Sequence, residues 1–210
     1  MPGIPMVLRR AALGWEIIKG SGKKEIYNDL GRLVQINDHG KYTALNYRDD
    51  GRLREVIGQF RQTLSFSYDN TTGKLATLTD PEDLVTAYSY DTNGVLEKVT
   101  HPDLTSRIYR YENPARTNLL TGIIDENGVR YATFDYNPYG KVILSEHAGG
   151  YDRVTLSYNA DGTTVTDAAG TSWDYSFTQD SGRHKPTSKT QNGKTIHNAY
   201  DNRKRLIAGC

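Results

Sequence analysis

The phrase IYNDLGRL (26–33) returns as NYRDDGRL (46–53), and the interval between the two limits the possible folds more than either phrase does. An aromatic anchor, then a Gly four or five residues later, then an aliphatic, recurs along the chain. The copies are YNDLGRL at Tyr27, YRDDGRL at Tyr47, YDNTTGKL at Tyr68, YDTNGVL at Tyr90, YNPYGKV at Tyr136 and YNADGTTV at Tyr158. Their glycines are Gly31, Gly51, Gly73, Gly94, Gly140 and Gly162. Weaker copies, with the Gly missing or the aliphatic lost, are YENPARTNLL at Tyr111, FTQDSGRH at Phe177 and YDNRKRL at Tyr200. The eight intervals between anchors run from 19 to 25 residues, with a mean of about 21.6. A unit that short cannot bury an apolar face alone, so the copies must stack on one another as a repeat array. We read them as structural anchors, not ligands.

A second phrase falls half a period later: NDHGK (37–41), TDPEDL (79–84), THPDLT (100–105), DENGVR (125–130), DAAGTS (167–172) and TQNGKT (190–195). Most repeats therefore have two turns and two strands. Asn-Gly at 93–94, 127–128 and 192–193, and Asp-Gly at 50–51 and 161–162, are pairs that accept the positive φ of tight hairpin turns. Between turns the segments alternate with period two. Leu45, Phe66, Tyr88, Tyr109, Phe134, Leu156 and Tyr175 stand two before an anchor; Asn46, Ser67, Ser89, Arg110, Asp135, Ser157 and Ser176 stand one before. One face is apolar and the other wet. The expected fold is all-β, an antiparallel meander of two-stranded repeats with about eighteen strands, forming a long sheet curved with its aromatic face inward. Residues 1–23 read as a lead-in with partial repeat strands, and 24–210 as one continuous array of about nine repeats. Five propeller blades of about 42 residues compete with that reading, but adjacent copies resemble each other as well as alternate ones do. An outer-membrane barrel fails on its lipid face, where Asn46, Ser67, Arg110 and Asp135 would stand.

Composition adds exclusions. A chain of 210 residues is long enough to bury a substantial core, although only 36% of it is hydrophobic. With 26 basic and 25 acidic residues there is no global field to recruit nucleic acid or an anionic membrane, so neither is expected as a partner. Cys210 is the single cysteine, which rules out an internal disulfide framework and a Cys-based zinc site. Arg9-Arg10 is followed too soon by Glu16 and Lys19 for an export signal, and no run approaches a membrane helix.

Candidate chemistry is sparse, and no enzyme, cofactor or metal is expected. His39, His101, His147, His184 and His197 are scattered without ligand spacing. SEHAGGYDR (145–153) gathers Glu146, His147 and Asp152 around a Gly pair, either an acid/base cluster or an expanded loop. The Asp and Asn clusters DNTTG, DTNG and NADG lack calcium-loop spacing and read as turns closed by their own side chains. GSGKK (20–24) lacks the phosphate-loop spacing and reads as a hairpin turn between two strands. Trp15, Trp173 and the Tyr ladders could stack sugars, which leaves a carbohydrate- or protein-binding module as the alternative function.

The Tyr-Asp-rich unit with its Y-x-x-x-G-x-L phrase resembles the RHS or YD repeat of bacterial Rhs proteins, polymorphic toxins, Tc toxin B and C subunits and teneurins. The resemblance spans about residues 24 to 207, and TGIIDENGVRYATFDYNPYGKVILSEHAGG (121–150) is most similar to the bacterial branch. It implies a sheet that spirals into a hollow shell around a toxic C-terminal domain, delivered by a secretion system, type VI included, or by a partner subunit. It further implies a secreted or cell-surface bacterial protein whose partners are the rest of the shell and the enclosed toxin, with glycan a further candidate. Asp80-Pro81 is followed by Glu82-Asp83, not by the Gly of the family's D-P-x-G closing signature, and the chain ends ten residues after Tyr200. What the resemblance implies here is therefore a segment of shell wall.

Overall fold

The computed structural model describes residues 6–12, 14–160, 162–180, 182–201 and 205–209. The chain falls into two compact units, one of residues 1–89 and 99–105, the other of 90–98 and 106–210. The first holds β1 (Met6–Ala11), β2 (Gly14–Lys19), β3 (Lys24–Tyr27), β4 (Leu33–Asp38), β5 (Lys41–Tyr47), β6 (Leu53–Ile57), β7 (Thr63–Tyr68), β8 (Leu75–Thr79) and most of β9 (Val85–Tyr90). Each pairs antiparallel with the next in sequence. β10 (Leu96–Thr100) is divided between the units. The second continues with β11 (Ser106–Arg110), β12 (Gly122–Ile124), β13 (Arg130–Tyr136), β14 (Val142–His147), β15 (Tyr151–Tyr158), β16 (Gly162–Thr166), β17 (Ser172–Asp180), β18 (Arg183–Gln191), β19 (Lys194–Tyr200) and β20 (Leu206–Gly209). These too are paired antiparallel in chain order. The all-β meander expected from the repeat is the observed fold, with twenty strands among the described residues in place of about eighteen. The difference arises at the N-terminus, where GWEIIK is β2 and residues 6–11 already form β1.

In most repeats the tight turn is longer than two residues, and Leu53 starts the return strand after the turn at Asp49, Asp50 and Gly51. After Tyr47 the amide of Arg48 donates to the Arg52 carbonyl (2.8 Å) and that of Gly51 to the Arg48 carbonyl (2.9 Å). The same pair of bonds closes the turns after Tyr27, Tyr90 and Tyr136. In these turns only the Gly has positive φ (+74° to +88°), while Asp50 and Asn93 do not, and the same holds for Gly128 against Asn127 in the turn after β12. The doubly positive pair appears at Asn192-Gly193 and also at His39-Gly40, which composition had not singled out. The longer turn is matched by a bulge. Across from Tyr27, Tyr47, Tyr68 and Tyr136 the return strand carries one extra residue, at Val34, Arg54, Ala76 and Ile143 respectively. A single extra residue increases local twist and lets a turn closed by a positive-φ Gly join strands that a plain two-residue loop would otherwise connect.

The expectation of a substantial core does not hold. Ala132 is the only buried hydrophobic side chain among the described residues, and no large side chain is fully enclosed. Each unit is a single sheet layer, so its apolar face meets no second layer and its side chains stay half-exposed. Alternation is still visible: Phe66, Tyr88, Phe134 and Leu156 are half-buried, while Ser67, Ser89, Asp135 and Ser157 are exposed.

Candidate functional site: the seam between repeats

What joins one repeat to the next is built from the anchor tyrosines. The hydroxyl of Tyr47 donates to the Leu33 carbonyl (2.7 Å), Tyr68 to Leu53 (2.8 Å), Tyr136 to Leu120 (2.7 Å), Tyr158 to Val142 (2.7 Å) and Tyr200 to Pro186 (2.9 Å). Leu33, Leu53 and Val142 are the aliphatics of the preceding repeat's own phrase, at the point where the bulge interrupts its ladder. The bulge thus presents a carbonyl, and the next anchor takes it. Tyr27 turns instead to the Glu25 carboxylate (3.1 Å), which Lys19 also holds; the Lys19 ammonium keeps Glu25 below the usual carboxylate range.

Cations complete the seam. The Arg32 guanidinium lies 5.8 Å from the Tyr47 ring centre, Arg52 4.9 Å from Tyr68, Lys141 4.7 Å from Tyr158 and Lys185 5.2 Å from Tyr200. Each reaches from one repeat over the anchor of the next, a contact that ring quadrupoles favour. Arg52 also donates to the Gly73 carbonyl (2.8 Å), and a Cβ at Gly51 would overlap the Arg32 guanidinium. So Gly51 (φ +88°) answers two demands, a left-handed turn and room for a cation from the repeat before. Sequence reading missed these cations. Their signal was present, as the basic residue after Gly31, Gly51, Gly73 and Gly140.

The remaining anchors sit as follows. Tyr90 ends β9, and Gly94 closes its turn. Tyr111 follows β11 and opens a loop without glycine, where burial pushes its hydroxyl above the ordinary value. That loop is held otherwise. Glu112 receives two bonds from Arg130 (3.1 and 2.8 Å), Arg130 also donates to the Thr121 carbonyl (2.9 Å), and the buried Thr121 hydroxyl donates to the Arg110 carbonyl (3.0 Å). Phe177 lies inside β17, which runs on to Asp180 before turning. Gly162 is the first residue of β16, where a side chain would meet the Tyr175 carbonyl; its partner Asp161 lies outside the described residues, as does Cys210.

Other candidates resolve into turns and pairs. Asp69 accepts from the Thr71 and Thr72 amides and Asp91 from the Val95 amide, so the Asx-turn reading holds for DNTTG and DTNG, while NADG includes Asp161, outside the described residues; Asp80 accepts likewise from Glu82 and Leu84, and Asn137 from Tyr139 and Lys141. GSGKK closes the β2–β3 hairpin through the Lys23 carbonyl and Gly22 (φ +83°). Glu146 is bound by Arg153 (3.0 Å), while His147 faces Asp152 at 3.4 Å and the Tyr131 ring at 4.8 Å. The structure thus splits the suggested acid/base trio into two exposed pairs. His184 and His197 lie on strands, not in turns. Among the described residues no three His, Cys, Asp or Glu converge as a metal site, and no helix is long and apolar enough to cross a membrane.

The model of the teneurin YD-shell family matches residues 17–208. The chain belongs to that family. Solved structures similar to this YD-shell chain include the Photorhabdus luminescens Tc holotoxin pore with the TccC3-D651A mutation, at 12% identity and a TM-score of 0.48, with 92% of this chain and 13% of that one covered. The TcdB2-TccC3-Cdc42 complex matches at 12% identity and a TM-score of 0.36, over 88% of this chain and 15% of that one. A porin-like protein from Bacteroides uniformis matches at 13% identity and a TM-score of 0.24, over 96% and 84%. No curated protein sequence matches. The YD-shell chain spans about an eighth of the holotoxin chain's length.

Proposed function

We propose that this YD-shell chain is a non-enzymatic segment of wall whose work is containment of a toxin domain in a bacterial secreted or surface toxin system. The observation that carries the reading is the seam. Five described anchors spend their hydroxyls on the preceding repeat, a use of side chains that extends a sheet and leaves no converging catalytic groups. The family match over residues 17–208 supports a shell. The resemblance of the Tyr-Asp repeat to the shells of Tc and polymorphic toxins supports a toxin domain as the cargo. The partners are then the rest of the shell and the enclosed domain, and residues 24–210 act as one array of about nine repeats, with 1–23 as lead-in.

The test uses the gene product that carries this array, intact. On limited proteolysis a contained domain stays whole far longer than the same domain produced alone, as followed by mass spectrometry. Equal digestion rates would overturn containment and leave only a sheet-forming repeat.

A further inference from the structure

Besides the glycine-free loop after β11, unit 2 departs from the repeat pattern at Phe177. Phe177 replaces the anchor Tyr, and the register opposite Tyr158 carries no bulge, so no hydroxyl-to-carbonyl contact joins these repeats. Trp173 stands four before the anchor, where other repeats have Thr43, Leu64, Thr86, Ala132 and Val154. Tyr158 pairs with Thr163, Thr163 with Tyr175, and Tyr175 with Lys189, which sets Tyr158, Trp173, Tyr175, Phe177 and Lys189 on one face. Where the seam is missing a cavity of about 520 Å³ opens, lined by Lys141, Tyr158, Asn159, Phe177, Gln179 and His184. Phe177 is 41% exposed beside it.

The charge of this face is one-sided. Lys189 lies 5.2 Å from the Trp173 ring and 5.6 Å from Tyr175, and Lys141 covers Tyr158. Lys194 falls on the same face by alternation from Ile196, the partner of Lys189. Asp174 belongs to the opposite face, where it accepts from the Thr164 hydroxyl at 2.6 Å. Residues 183–205 hold seven Lys or Arg against one acid, Asp201, although the whole chain carries only +1. Near-neutrality overall therefore conceals a basic end.

From these features we infer that the aromatic, lysine-bearing face of β15–β19 binds single-stranded nucleic acid. Rings two residues apart on β17 are spaced by about 7 Å, a stride that suits successive bases of an extended strand, while the lysines meet its phosphates. A neutral sugar would stack on the rings but make no use of the positive charge of Lys141, Lys189 and Lys194. An acidic peptide would use the lysines and leave Trp173 and Phe177 unexplained.

The experiment is fluorescence anisotropy of a labelled oligothymidylate with the full chain across a salt series. Binding is expected to be saturable, with a log–log salt slope of about −2, as three lysines neutralising phosphates require for a single strand. Phe177→Leu and Lys189→Gln should each weaken it about tenfold, with unchanged circular dichroism, whereas Lys23→Gln should not. If Phe177→Leu disturbs folding, Lys141→Gln replaces it in the comparison. Absence of binding at low salt overturns the inference. So does displacement by heparin or polyglutamate with no effect of the ring substitution, which would mark a surface for anionic glycans or acidic chains.

Discussion

A tyrosine hydroxyl bonded to a backbone carbonyl one repeat away is worth about 1 kcal/mol net, and the seam multiplies it. Tyr47→Phe and Tyr68→Phe should each lower stability by about that amount in urea unfolding, while Phe177→Tyr should bring no matching gain, because no bulged carbonyl awaits it. Gly51→Ala and Gly31→Ala separate the two demands on glycine. Both place Cβ in a left-handed turn, at about 1 kcal/mol or more, but only at Gly51 does Cβ overlap the preceding repeat's arginine. Gly51→Ala should therefore cost more, and adding Arg32→Ala should close the difference. Asp50 supplies a pH signature. Hydrogen bonds from the Arg52 guanidinium and amide hold its carboxyl at about 2, below its ordinary 3.8. A depressed carboxylate stabilises the fold fully above its unfolded value and loses that contribution as pH falls toward the folded one. Asp50→Asn should thus flatten the fall in melting temperature on acidification, leaving the neutral side little changed in slope.

Among the elements, the glycine-free loop after β11 shows how a repeat survives without its usual turn. Arg130 bridges Glu112 and the Thr121 carbonyl, and Arg130→Leu should speed hydrogen exchange in 111–121 and lower stability by about 1–2 kcal/mol, a figure reduced by partial exposure of the pair. The all-β class and the antiparallel pairing were legible because period two and turn residues are local properties of the chain. Val34, Arg54 and Ala76 were not legible as extra bulge residues, since a bulge follows from the pairing of two segments and leaves no compositional mark. The cations of the seam were half legible: Arg32 and Arg52 recur at one position, yet their target lies in the following repeat. Arg130 had no signal at all, because its partner is defined by a loop that broke the pattern.

At the scale of the whole molecule, Ala132 is the one buried hydrophobic side chain among the described residues, so neither unit is held by a shared core. The stability of each is a sum of neighbouring seams. Denaturant unfolding should then be broad, and native-state exchange should show the two units opening at different free energies, with a single sharp transition common to all amides counting against this. Charge is the property that sequence averages hid. The basic run after Arg183 disappears in a total of +1, and only strand register shows which side chains share a face with Trp173.

The direction of the tyrosine bond has a further consequence for how such a chain is made. Five anchors, Tyr47, Tyr68, Tyr136, Tyr158 and Tyr200, reach back 14 to 16 residues, to a carbonyl already synthesised. A repeat leaving the ribosome finds its docking edge in place ahead of it, so the sheet can assemble vectorially, one hairpin at a time, without waiting for its C-terminus.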